Sequence, residues 1–128
     1  MKRLIGIIMA SIILASAAQA ADCIATCSWD GLQANGLPEG SLPVQIILFD
    51  ADTQDTLTQA SVNGPVTGLQ LPSFSLVPPD NEVLVVHVAA KAVDSAGNVS
   101  APSEVHTITL IGNDTVPPGT VIININLN

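Results

Sequence analysis

The chain has 128 residues, 48% of them hydrophobic and 11% charged, a balance that argues against disorder and sets the length at one domain. All eleven acidic residues lie beyond position 21, where Lys91 is the one fixed cation, so residues 21–128 carry a net charge of −10 with histidine neutral. A surface that acidic repels phosphate and anionic lipid, which excludes nucleic acid and membrane surfaces as partners of that portion.

Met1-Lys2-Arg3 is a positive start, residues 4–14 are mostly apolar, and residues 15–20 are small and end in Ala18-Gln19-Ala20. This three-part layout predicts a secretory signal peptide over residues 1–20, removed at an A-x-A site. The alternative is an uncleaved anchor, but the apolar stretch is shorter than the ~20 residues a spanning helix needs. Asp22 before Cys23 speaks against a lipidated cysteine. The expected location is secreted or periplasmic, an oxidising compartment. Its core must be built from Val, Ile, Leu and Ala, since Trp29, Phe49 and Phe74 are the only aromatic residues.

No segment beyond the leader keeps an apolar period near 3.6, and prolines recur every few residues. Short alternating or apolar runs bounded by Gly, Pro, Asn and Asp predict an all-β sandwich or barrel. The expected strands are residues 23–29, 43–50, 56–62, 74–77, 83–93, 104–111 and 120–127. The clearest is 83–93, where Leu84, Val86, Val88, Ala90 and Ala92 alternate toward a core while His87 and Lys91 take the other face. Asn35-Gly36, Asn63-Gly64 and Ala96-Gly97-Asn98 supply turns in which positive φ costs little.

Cys23 and Cys27 are the only cysteines, and an even count in an oxidising compartment favours a disulfide. In one extended strand, however, their Cα atoms would stand ~13 Å apart, beyond bridging range. Either the segment is a coil closed by a bridge, or both thiols are buried in the core, or they bond to other copies; the sequence leaves this open. Asp50, Asp52 and Asp55 form a D-x-D-x-x-D cluster that is a weak candidate for Ca²⁺, without the spacing, Gly or terminal Glu of an EF-hand. His87 and His106 would fall on neighbouring strands and could meet as a metal pair, although two exposed strand histidines are the simpler reading. Ile47 and Phe49 form either an exposed apolar strip or one covered by the following strand. No Ser has nucleophile-elbow spacing, no Glu pair suits general acid–base work, and no Gly-rich loop suits phosphate, so no catalytic residue, enzyme activity or cofactor is expected.

Residues 92–105, AVDSAGNVSAPSEV, follow a V-x-V-x-A strand and resemble the F–G region of fibronectin type III domains of secreted bacterial proteins. Cys27-Ser28-Trp29-Asp30 is similar to the strand B segment that carries the buried Trp of that family. The resemblance covers roughly residues 25–111 and implies an immunoglobulin-like antiparallel sandwich of about seven strands. It also implies a domain over 21–111, a Pro-rich linker over 112–119 and a closing segment over 120–128. The family's early strand F Tyr is replaced here near Val86.

Such a domain opens with an edge strand A, for which the eight residues from Ala21 to Ser28, before Trp29, leave no room. At the other end, Val121, Ile123, Ile125 and Leu127 alternate with polar residues as an edge strand would. This segment is expected to supply strand A, either by folding back or by donation to a neighbouring copy. Folding back means crossing about 20–25 Å, against a reach of about 26–29 Å for the linker 112–119. The expected function is an exported structural or adhesive module, self-associating or bound to another extracytoplasmic protein, with filament formation as the outcome of open head-to-tail donation. The alternative is a monomeric module that binds protein or glycan through its loops.

Overall fold

The computed structural model describes residues 8–15, 21–122 and 124–126. It is an all-β sandwich of eight strands in two antiparallel sheets: β1 (Ile8–Ala15), β2 (Ala21–Trp29), β3 (Val44–Asp50), β4 (Thr56–Val62), β5 (Val66–Gln70), β6 (Phe74–Leu76), β7 (Val83–Val93) and β8 (His106–Ile111). One sheet runs β4-β3-β7-β8. In the other, β1 pairs along the whole of β2 from Asp22 to Trp29, so β5 and β6 share the opposite side of β2 as one interrupted strand. Seven strand positions result, three facing four.

Alternation builds the core. From β2 come Cys23, Ala25, Cys27 and Trp29; from β3, Val44, Ile46 and Leu48; from β7, Val86, Val88, Ala90 and Ala92; from β8, Ile108. Ile46, Leu48, Leu71 and Val88 are fully buried, each removal from water worth about 1.5–3 kcal/mol. Cys23 and Cys27 sit among these residues on one continuous strand and are not bridged, so of the expected arrangements the chain adopts buried core thiols. Extended backbone separates residues four apart too far for a disulfide.

β5 and β1 were not among the expected strands. β5 contains Gly68 at φ +62 and breaks the apolar alternation, yet it pairs Leu69 with Cys27 and Val66 with Trp29. β1 lies inside the apolar run expected to act only as a leader. It takes the edge position beside β2 for which the residues before Trp29 were too few: Ile8 pairs with Trp29, Ala10 with Cys27, Ile12 with Ala25 and Leu14 with Cys23.

The expected strand 104–111 begins later, at His106, because residues 99–103 meet β7 differently. Val99 bridges Val93, and Ser100 N and Ser103 N donate to Ala92 O and Ala90 O. In return, Ser100 Oγ and Ser103 Oγ accept from Ala92 N and Ala90 N at 2.9 and 2.8 Å. The serine hydroxyls carry the ladder past Pro102, which has no N–H to give. The expected strand 120–127 is not formed in the described residues: 120–122 and 124–126 lie outside any strand.

Candidate interaction surfaces

Three features of the sandwich bear on function: the β2 edge, the exit of the C-terminal segment, and a cleft between loops at one pole. At the β2 edge, the core-facing residues Cys23, Ala25, Cys27 and Trp29 stand in register with Leu14, Ile12, Ala10 and Ile8. β1 also contacts β7 of the opposite sheet, so it closes that flank of the core. The Cys27 thiol is pushed up to about 11 by burial, and the Cys23 thiol is raised by burial and then by the neighbouring Asp22 carboxylate. Both stay protonated near neutrality and make poor nucleophiles or metal ligands.

The C-terminal segment leaves the sandwich at the pole where β8 ends. Asn81 fastens it there: Asn81 N donates to Asn113 O, Asn81 Nδ2 to Thr115 Oγ1, and Thr115 N to Asn81 Oδ1 at 2.7 Å. Gly112 N donates to Glu82 O, and a side chain at Gly112 would run into Pro79 O at 1.8 Å. Beyond this clasp the chain is exposed, with Val121 at 78%, Ile122 at 83% and Ile125 at 73% accessible. Ile123 and Leu127, also expected at a strand-donor interface, lie outside the described residues.

The cleft, about 480 Å³, opens at the opposite pole between residues 32–41 and 94–101, floored by Trp29, Val44 and Ala92. Its walls carry Gln33, Asn35, Glu39, Asp94 and Asn98. Asp94 shapes one wall: Oδ1 accepts from Ala96 N and Asn98 N, and Oδ2 accepts from Asn98 Nδ2. These hydrogen bonds, foremost the one from Asn98 N, hold the Asp94 carboxyl below its ordinary value. Gly97 at φ +88 completes the turn. The D-S-A-G-N run is thus turn chemistry, with Asp94 occupied as its acceptor.

The other candidates are dispersed. Asp50 ends β3 and opens a turn, where its Oδ1 accepts from Asp52 N and Thr53 N while Asp50 N donates to Asp55 O. Among the described residues no group of three His, Cys, Asp or Glu side chains could hold an ion, so Asp50, Asp52 and Asp55 do not converge. His87 pairs with Thr107, and His106 pairs with Val88. Because pairing partners share a face, the two histidines lie on opposite faces of the sheet. His87 Nδ1 meets Thr107 Oγ1 at 3.2 Å, and His106 Nε2 lies 3.7 Å from Glu104 Oε1. Phe49 is only 5% exposed on the outer face, with Lys91 Nζ 4.7 Å from its ring centre and Ala89 opposite it across the ladder. Ile47 is half-buried beside it. Exposed apolar surface lies instead on the β7–β8 outer face, at Val83, Val85 and Ile111. Parity along β7 places these outward, a signal present in the sequence.

No protein-family model matches the chain, and no curated protein matches it either.

Proposed function

We propose that this chain is an exported, non-enzymatic structural or adhesive subunit that joins to other copies by strand donation from its C-terminal segment. One observation carries the reading: the strand beside the β2 edge is Ile8–Ala15, part of the stretch with the layout of a signal peptide. Removal of residues 1–20 in export would leave the β2 backbone donors and acceptors open along that flank. An open edge of this kind, over a core lined by Cys23, Ala25, Cys27 and Trp29, requires a strand from somewhere. The C-terminal segment, with Val121 and Ile125 exposed, would supply one.

The order of strands supports a fibronectin type III-like framework for such a subunit. A three-position sheet faces the sheet β4-β3-β7-β8, Trp29 is buried on β2, and the 92–105 motif forms the β7–β8 connection. The acidic surface fits assembly outside the cytoplasm without phosphate or anionic lipid as a partner. Main-chain ladder bonds would supply affinity and the alternating apolar residues would fix register.

The test is the intact mass and the light-scattering mass of the exported protein. The expected result is a chain starting at Ala21 that forms chains of subunits. A monomer, or a product that keeps residues 1–20, contradicts the proposal.

A second reading, a monomeric module that binds protein or glycan, rests on the cleft above Trp29. Its walls present amides and carboxylates to a neutral, hydroxyl-rich ligand. It predicts a monomer whose ligand binding is lost on substitution of Asn35 and Gln33 by Ala.

A further inference from the structure

We infer that the edge strand of the assembled protein is residues 121–128 of a second copy, laid antiparallel on β2 in the register that β1 occupies. The inference rests on the proposed removal of residues 1–20 and goes further by fixing the donor, its direction and its pairing.

Pattern comes first. The β1 positions opposite the core-facing residues of β2 are Ile8, Ala10, Ile12 and Leu14. The C-terminal segment offers Val121, Ile123, Ile125 and Leu127 at the same spacing. Laid over β1, these four fall opposite Trp29, Cys27, Ala25 and Cys23. The intervening positions change in character: Met9, Ser11, Ile13 and Ala15 in β1 correspond to Ile122, Asn124, Asn126 and Asn128. On the outer face of the sheet, the three asparagines are better solvated than the mainly apolar residues they replace. The C-terminal segment is therefore the more amphipathic edge strand of the two. A slip by one residue would turn its apolar side to water, so the register is strongly specified.

Direction and reach decide which copy donates. β6 ends beside Ala21, and β7 begins a short connection later, so the start of β2, the start of β7 and the end of β8 share one pole. The clasp of Asn81 on Thr115 fixes the chain's exit at that pole. A strand in the direction of β1 begins at the other pole, beside Trp29. Travelling the length of β2 from Asp22 to Trp29 takes about 24 Å, and the chain must also pass between sheets ~10 Å apart. From Thr115 to Val121 there are six residue steps, which span at most about 22 Å when fully extended. The full linker 112–119 would reach, but the structure holds its first half down. An exit that cannot reach its own β2 edge leaves that of a second copy, and Pro117 and Pro118 stiffen it into an extended form. Such a contact is head-to-tail, and where the rotation between copies does not close it extends into a filament.

The test uses Thr26→Cys with Asn124→Cys in the full chain, expressed with its leader in a bacterial host and recovered from the exported fraction. In β1 the partner of Thr26 is Ser11, the position that Asn124 takes in the proposed overlay. After oxidation, denaturing electrophoresis without reductant should show bands at multiples of the chain mass that collapse to one on reduction. The parent and each single variant should show no such ladder. A monomer-sized product with an internal bridge, or no bridge at all, overturns the inference. Intact mass reads the removal of residues 1–20 separately: a retained leader condemns the functional reading and the donor assignment together, whereas a processed chain that assembles without the ladder condemns the donor assignment alone. As a check free of substitution, a peptide of residues 120–128 in excess should cut assemblies of the parent down to peptide-capped monomers. Assemblies indifferent to the peptide would likewise overturn the inference.

Discussion

Gly112 stands where the chain leaves β8, and a Cβ there would lie 1.8 Å from Pro79 O and 2.8 Å from Pro79 C. Backbone atoms cannot give way as a flexible side chain can, so Gly112→Ala must displace either the residue 77–82 connection or the exit. Overpacking of this kind costs about 3 kcal/mol, and the denaturant midpoint should fall accordingly. Cys27 makes a prediction of a different kind. Burial raises its thiol from the ordinary value of 9.0 to about 11, so the folded state holds the proton more tightly than the unfolded chain does. The resulting contribution to stability is complete below about pH 9 and is lost as pH climbs through 9 to 11. Cys27→Ala should flatten that alkaline decline in urea titrations, whatever its effect at neutral pH. These residue-scale features differ in legibility. The burial of Cys23 and Cys27 follows from strand parity with Trp29, whereas the clash at Gly112 depends on Pro79, brought there by the β6–β7 connection.

Among the elements, β7 could be read from the chain residue for residue, because its even positions are all apolar, His87 and Lys91 mark the other face, and two turn signals bound it. β5 could not. Its five residues contain Gly68 at positive φ, and it is held by pairing with β2 rather than by its own pattern. β1 was hidden for the opposite reason: a mostly apolar run has no period that distinguishes a strand from a leader. The missing edge was legible as a shortage of residues before Trp29, but its occupant was not, since sequence spacing does not say which apolar segment pairs with β2. The histidines show how one residue of register decides a site. His106 is opposite Val88 rather than His87, which puts the imidazoles on opposite faces and removes the metal pair.

The β2 edge also makes its own prediction. Cys23 and Cys27 are flanked by the edge strand, opposite Leu14 and Ala10, and should be shielded from alkylating reagents whenever that position is filled. In the exported protein, native-state labelling at pH 8 should be slow. Deleting residues 120–128 should expose both thiols and raise the labelling rate at least tenfold, as read by mass spectrometry. Equal rates in the two proteins would mean that the segment does not cover β2.

At the scale of the whole molecule, the sandwich has one edge filled by β1, and an exposed C-terminal segment leaves at the Asn81 clasp. The fold class was legible because composition, turn spacing and strand length agree. The exit of the C-terminal segment was not, because it depends on the hydrogen bonds between Asn81 and Thr115. The most direct measurement is the light-scattering mass of the exported protein, intact and lacking residues 120–128, over a hundredfold range of concentration. The intact protein is expected to grow into assemblies of many subunits as concentration rises, while the shortened one is a less stable monomer that stops assembling. An intact protein that stays a monomer throughout, with the same stability after the deletion, would contradict it.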